Sequence, residues 1–409
     1  MKLLWDNAHL NNLPKHLIER ALSEQLAILT DMSYNKDPNR RQYVLHCVED
    51  IKTRRDCVLP AVRHLHAICK SFSKNSATSY QKADKQILAD LNRQHEIEKL
   101  LSMSLKQCHH TAVQEAERAG SILKPDTVVN DGYCHSAYVD SHLDLMKFFL
   151  KEGDLYLSWP RCKEVWETLV ENTKAIDFDK DNCFEWFQKC LTDLEAETQQ
   201  MFFEQKLLKL SPSQVSHQSF NCFKSYFESI NLSVGHLRKS ISPSLIVEHL
   251  ELIGLDYLWN LITECPKENI ADDAIEYLLN MSFLHVSTKL KKDAGTLHKK
   301  FINNCFSRLK SVNSATLSTV GRHQDAAVQE GCELETSISK DPASCDTEEG
   351  SPIAPSMDMW SLGIILYIML TGLHPFDIDS NLSDEEIEAH IKKQRTPPLD
   401  APHTAHLSS

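Results

Sequence analysis

The stretch from Leu245 to Phe283 limits the fold more than any other part of this chain. Its apolar residues recur at helical intervals on both sides of Cys265-Pro266. Leu250, Ile253, Leu258 and Leu261 form one set. Ile270, Ala274, Leu278 and Met281 form the other, at spacings of four, four and three. Proline lacks an N–H and crowds the preceding turn, so the first helix must end there. Each helix then offers one apolar stripe and needs neighbours on its other side. Helix pairs that stack and share a core, an α-solenoid, meet that need.

Composition bounds the function. The 409 residues suffice for two or three domains, and 42% hydrophobic content is ordinary for a soluble protein. Only 11 glycines argue against a fold rich in tight turns, and a net charge of −13 argues against nonspecific nucleic-acid binding. The 13 cysteines are odd in number and never form Cys-x-x-Cys. Reduced thiols in a cytoplasmic or nuclear setting fit better than a disulfide framework or a zinc module. Asp6 interrupts the N-terminal apolar run, which therefore does not read as a secretory signal. The longest apolar run, Leu362 to Leu370, is far short of the ~20 residues of a membrane span.

The helical pattern begins early. Leu17, Ala21, Ile28 and Leu29 predict a first amphipathic face, and Tyr43, Val44, Cys47, Val48 and Ile51 a second. Val58, Val62, Leu65, Ile68, Cys69 and Phe72 predict a third. Ile87, Leu88, Leu91, Leu101 and Leu105 predict one longer fourth helix. Residues 119–136 lose the period and gather Gly, Pro, Asn and Asp, as a loop does. Helices resume with Val139, Leu143, Met146, Phe149 and Leu150. Ser158-Trp159-Pro160, Ser211-Pro212 and Ser242-Pro243 read as helix starts. Asp179 and Asp181 suit the positive end of a helix that carries Cys183, Phe184, Phe187, Leu191 and Leu194. A last helix is expected near Leu297 to Leu309.

Candidate chemistry is sparse. Cys108-His109-His110 and Cys134-His135 lack the paired spacing of a zinc site, so a satisfied core role is expected for them. Cys183 and Cys190 fall on an apolar face and read as small buried hydrophobes. Trp159, Trp166, Trp186 and Trp259 sit in apolar helical stretches and read as packing residues. Lys289, Lys291, Lys292, Lys299, Lys300, Arg308 and Lys310 form the one basic cluster. Such a set suits an acidic partner or phosphate, but a solvated helix face is the expectation. Phe301 and Phe306 beside it are expected in the core. No catalytic, cofactor-binding or metal-ligating residue is assigned.

Two resemblances add to this. RRQYVLHCVEDIK (40–52), FLKEGDLYLSWPRCKEVWETLV (149–170), CFEWFQKCLTDLEAETQQMFFEQKLLKL (183–210), FNCFKSYFESINL (220–232), ELIGLDYLW (251–259) and LKKDAGTLHKKFI (290–302) occur in order. Through them residues 1–312 resemble the large ubiquitin-specific proteases of the fat-facets type. The resemblance implies a non-catalytic helical region of a cysteine-type deubiquitinase. It implies an association with the ubiquitin pathway and no transferred activity, since that family's Gly-Asn-Thr-Cys box is not in this sequence. Separately, MDMWSLGIILYIMLTGLHPF (357–376) is similar to the protein kinase C-lobe, in the calcium/calmodulin-dependent style. Asp358, Trp360, Ser361 and Gly363 match its Asp-x-Trp-Ser-x-Gly motif. The Gly-rich loop, His-Arg-Asp loop and Asp-Phe-Gly motif are missing, so the piece implies no phosphotransferase of its own.

The expected architecture is all-α. Armadillo/HEAT-like helical repeats run over 1–118 and 137–312, around the loop 119–136. An acidic disordered segment follows over 313–355: residues 325–350 hold eight acids against one lysine and too few apolar groups to order them. Kinase-like helices over 356–396 and a tail over 397–409 complete it. The expected work is docking other proteins, ubiquitin-pathway substrates or adaptors, with no cofactor, no nucleic acid and no membrane.

Overall fold

The computed structural model describes residues 14–30, 37–53, 57–74, 82–129, 132–153, 155–240, 245–293, 295–308, 310 and 376. Contacts divide the chain into Met1–Ser318 and Thr319–Ser409. All elements below belong to the first unit. The acidic segment 313–355, the kinase-like segment 356–396 and the tail 397–409 lie, apart from Phe376, outside the described residues.

Helices follow one another with short breaks. They are α1 (Lys15–Thr30), α2 (Asp37–Thr53), α3 (Val58–Ser71), α4 (Lys85–His95), α5 (Ile97–Arg118), α6 (His135–Gly153) and α7 (Trp159–Leu169). Then come α8 (Asp177–Lys189), α9 (Ala196–Gln205), α10 (His217–Ser233), α11 (Leu255–Glu264), α12 (Glu268–Leu279), α13 (Thr288–Lys291) and α14 (295–308). Among the described residues, strands are limited to two short antiparallel pairs. Ser73–Lys74 (β1) pairs with Lys82–Ala83 (β2), and Leu237–Lys239 (β3) with Leu245–Val247 (β4). The second pair sets Leu237 opposite Val247 and Lys239 opposite Leu245. The all-α expectation holds.

Helices pack in overlapping groups, some adjacent along the chain and some two or three elements apart. Thus α3 lies against α1, α2 and α6; α5 against α6 and α7; α10 against α8 and α9; and α11 against α12. One continuous apolar core results, because no helix can bury its stripe alone. Its centre is aromatic. Trp166 meets Phe184 and Phe202 edge-on at 5.4 and 5.2 Å, Phe187 stacks on Phe202 at 4.1 Å, and Tyr226 follows at 5.0 Å. Offset and edge-to-face rings add to the area they bury. Two buried ring donors find acceptors in this core: Trp186 Nε1 donates to Leu143 O at 2.8 Å and the Tyr226 hydroxyl to Phe187 O at 3.2 Å.

Several boundaries follow local chemistry. Asp84 caps α4 by accepting from the N–H groups of Gln86 and Ile87 at 3.1 and 3.4 Å. Ser158 precedes α7, with Pro160 in its first turn. Ser216 and Ser219 close the start of α10 reciprocally, each hydroxyl taking the other's N–H at 3.2 and 2.8 Å.

Other boundaries differ from the sequence expectation. The long fourth helix is two helices. Glu96 adopts φ +50° between them, and the Asn92 side chain takes the freed Glu98 N–H at 3.1 Å. In α1 the buried stripe is Leu22, Gln25 and Leu29, while Leu17 and Ile28 stand about two-fifths exposed at 40% and 41%. A single apolar period fits two adjacent faces, and only contact with α3 selects one. Leu245–Val247 is strand rather than helix, so Leu250 and Ile253 precede α11 instead of lying on it. Ser211-Pro212 opens one 3₁₀ turn, Pro212–Gln214, and α10 starts later behind Ser216. Ser242-Pro243 lies outside the described residues, and a strand follows it. Phe301 packs on the core, but Phe306 is 53% exposed and not a core residue.

Candidate functional site

The fold gathers three separated side chains into one buried polar cluster. His109 comes from the middle of α5, His135 from the first residue of α6 and Asp179 from the first turn of α8. All three are buried to within 1% of full burial. Their donor atoms lie within 4.8 Å of one another, close enough to consider a metal ion. Asp179 Oδ2 is 3.1 Å from His109 Nε2, and Oδ1 is 2.6 Å from His135 Nε2. Oδ2 also accepts the Ile176 N–H at 3.1 Å, one of the donors α8 leaves open at its N-terminus.

The second layer fixes one tautomer. Lys174 N–H donates to Asn172 Oδ1 at 3.0 Å, which leaves the Asn172 amide N–H to face His109 Nδ1 at 3.4 Å. Nδ1 therefore accepts, and Nε2 carries the hydrogen directed at Asp179. A metal on His109 Nε2 needs that lone pair free and a hydrogen on Nδ1, against a donor. The pattern favours a hydrogen-bonded clamp. Burial alone would raise the Asp179 carboxyl, but the hydrogen bonds from the two imidazoles and the electrostatic pull of the rings outweigh it and bring its pKa down to about 2. His135 Nδ1 has no hydrogen-bond partner among the described residues. The cluster ties α5, α6 and α8 together and contains no nucleophile.

A second polar cluster joins α5 to α7. Ser102 Oγ donates to Glu164 Oε2 at 2.6 Å, and Arg161 pairs with Glu164 and reaches Ser102 Oγ at 3.3 Å. Nearby, burial lifts Glu98 to about 7, against the bond from Asn92 and the charge of Arg161.

Thiols divide in two. Burial, then Cys222 and Asp179, holds Cys183 well above the usual range; burial, then Asp193, pushes Cys190 up to about 12. Burial, then Cys190, does the same for Cys162, to about 12. Cys47 is raised by burial and by Asp50. Such thiols stay protonated and make poor nucleophiles. Cys134 is different. It precedes α6, is only partly buried, and its Sγ sits 3.1 Å from the Ser136 hydroxyl. That bond lowers its pKa, against its modest burial, with help from the Ala137 N–H and the Lys15 charge.

The candidates from sequence are thus sorted. His109 and His135 meet, through Asp179. Cys183 and Cys190 are buried as expected. His110 is bound instead to Gln114 on the helix surface, at 3.0 Å. The meeting with Asp179 was not expected. Its one signal was an aspartate in the first turn of a helix, which is commonplace. Trp166, Trp186 and Trp259 are buried and Trp159 packs on the core, as packing residues should.

The stacked helical unit, with its sealed polar clamp and mostly buried thiols, falls in a stretch that matches a known repeat family. Residues 1–231 match the family described as UBP24/USP9X/USP9Y ARM repeat. The chain belongs to that family. Ubiquitin carboxyl-terminal hydrolase 24 of Homo sapiens is 40% identical over 338 residues, covering 77% of this chain and 13% of that protein. Ubiquitin carboxyl-terminal hydrolase 9Y of Homo sapiens is 30% identical over 325 residues, 76% of this chain and 12% of its own length. The chain therefore spans about one-eighth of the curated hydrolases it matches. A weaker likeness, 29% over 145 residues, is to serine/threonine-protein kinase PKZ1 of Phytophthora infestans, covering 32% of this chain and 34% of that one. Within the ARM-repeat match fall α1 to α9, most of α10, and the whole His109–Asp179–His135 clamp.

Proposed function

We propose that this chain is a non-catalytic protein-binding solenoid of the ubiquitin-specific protease kind, working in the deubiquitination pathway without itself cleaving ubiquitin. The observation that carries the reading is the state of the buried thiols. Cys47, Cys162, Cys183 and Cys190 are enclosed in the core and raised in pKa. Thiol-dependent hydrolysis needs an accessible thiolate beside a base. The polar cluster with two imidazoles is closed to solvent and spends both rings on Asp179. What remains is an extended helical surface, the usual basis of docking in repeat proteins. Its partners are proteins of the ubiquitin pathway, substrates or adaptors, met in the cytoplasm or nucleus.

The test uses the full chain and ubiquitin carrying a thiol-reactive C-terminal group. No adduct is expected. A stoichiometric adduct on any cysteine overturns the scaffold reading in favour of a cysteine-type deubiquitinase. In parallel, affinity capture followed by mass spectrometry should recover ubiquitin-pathway proteins, and their absence counts against the pathway assignment.

A further inference from the structure

We propose that the groove between α11, α12 and α14 is a docking site for an acidic protein segment that presents one leucine-sized anchor. This names a contact surface and a partner chemistry, and it rests on the protein-binding function above. The groove is walled by Val247, Leu252, Trp259, Leu278, Met281 and Phe301 and has a volume of about 50 Å³. One water needs roughly 10–15 Å³, so the space matches a single branched aliphatic side chain. Trp259 forms one wall, 5.5 Å from the Phe301 ring. Its indole N–H is shut off from solvent and has no hydrogen-bond partner among the described residues.

The charge beside the groove fixes the rest of the chemistry. Residues 288–310 carry seven basic side chains and one acid, in a chain of net charge −13. Lys300 lines the groove and reaches Glu251 at 3.1 Å. Arg308 is held by Asp256 and Asn260 at 2.5 and 2.7 Å. Lys289, Lys291, Lys292 and Lys299 are exposed and have no ion-pair partner among the described residues. Lys299 lies on α14 next to the groove residue Lys300, and Lys289, Lys291 and Lys292 lie on α13 and the turn that leads into α14. Unpaired ammonium groups on the segment that walls an apolar slot suit carboxylates flanking an apolar anchor. They steer an acidic partner and set its register, while the slot supplies the desolvated contact.

The experiment is fluorescence anisotropy with the full chain and a labelled peptide, Asp-Asp-Glu-Leu-Glu-Asp-Asp. Saturable binding that weakens with salt is expected. Replacing the peptide leucine by serine should weaken it about tenfold or more. The quadruple variant Lys289→Glu, Lys291→Glu, Lys292→Glu, Lys299→Glu alters only exposed side chains. It should lose a similar factor at an unchanged melting temperature. If the serine peptide binds as well as the leucine peptide, the attraction is electrostatic alone and the groove assignment falls. Preference for a single-stranded RNA over the peptide overturns it as well. If the peptide does not bind while capture of ubiquitin-pathway proteins persists, only the groove is refuted. A ubiquitin adduct refutes the scaffold reading whatever the peptide does.

Discussion

Two histidines show how single residues set the acid response of this protein. His142 is fully buried, its Nδ1–H donating to Tyr138 O at 2.8 Å and its Nε2 accepting from the Ser104 hydroxyl at 2.9 Å. Both ring nitrogens are satisfied in the neutral form. Burial drives the pKa down to about 4, against the bond to Tyr138. His66 is lowered to about 4 by burial and by Lys70. An unfolded histidine takes its proton near pH 6.5, whereas these wait until about 4. Over that window the unfolded chain binds more protons, so stability is complete above pH 6.5 and falls as pH drops. For His142 the loss is on the order of 3 kcal/mol. Urea denaturation across this range should show it, and His142→Asn should flatten the profile. Asp179 acts in a lower range. Its depressed carboxyl stabilises fully above the unfolded value of 3.8, and that contribution is lost as pH falls through about 2. Asp179→Asn removes the charge that two imidazoles face and should cost about 3 kcal/mol at neutral pH, read from the urea midpoint. Among the described cysteines, Cys134 should react first with iodoacetamide, and peptide mapping after brief labelling checks this.

At the scale of the element, breaks between helices matter as much as helices. Gly254 sits at φ +91° before α11, and an added Cβ would lie 2.7 Å from Phe203 Cζ. Next to it, buried Asn231 on α10 takes the Ile253 N–H at 2.8 Å and donates to Ile253 O at 3.0 Å. The junction is thus held by a side chain and left without room. Gly254→Ala combines a left-handed backbone with overpacking and should cost about 2–4 kcal/mol by thermal or urea unfolding. Much at this scale was legible in the sequence. Cys265-Pro266 ended α11, Ser158 preceded α7, and the expected loop 119–136 is a break over 119–134, since α6 already begins at His135. What was not legible were bends set by distant partners. Glu96 carries no glycine-like signal, and its positive φ is secured by Asn92 bonding Glu98. Leu245–Val247 has the same apolar residues a helix uses, and only pairing with Leu237–Lys239 makes it a strand. The clamp was hidden for a similar reason: His109, His135 and Asp179 are far apart in sequence, and only helix stacking brings them together.

For the whole molecule, stacked repeats imply graded stability. The densest aromatic packing, around Trp166, Phe187, Phe202 and Tyr226, lies in α7 to α10. Trp166 is 1% exposed, and Trp166→Ala should cost about 3–5 kcal/mol, a loss that chemical unfolding measures directly. In α1 and α14 only one side or one residue, such as Leu297, is deeply buried. Fold class is written in the order of residues alone. Apolar residues at helical intervals, proline and serine stops and few glycines leave a stack of amphipathic helices, because a helix buries one stripe and a stack covers many. Helix stacking selects which stripe faces inward, where Asp179 finds its two imidazoles, and which thiols are sealed. Those properties depend on neighbours distant along the chain, and local spacing does not encode them.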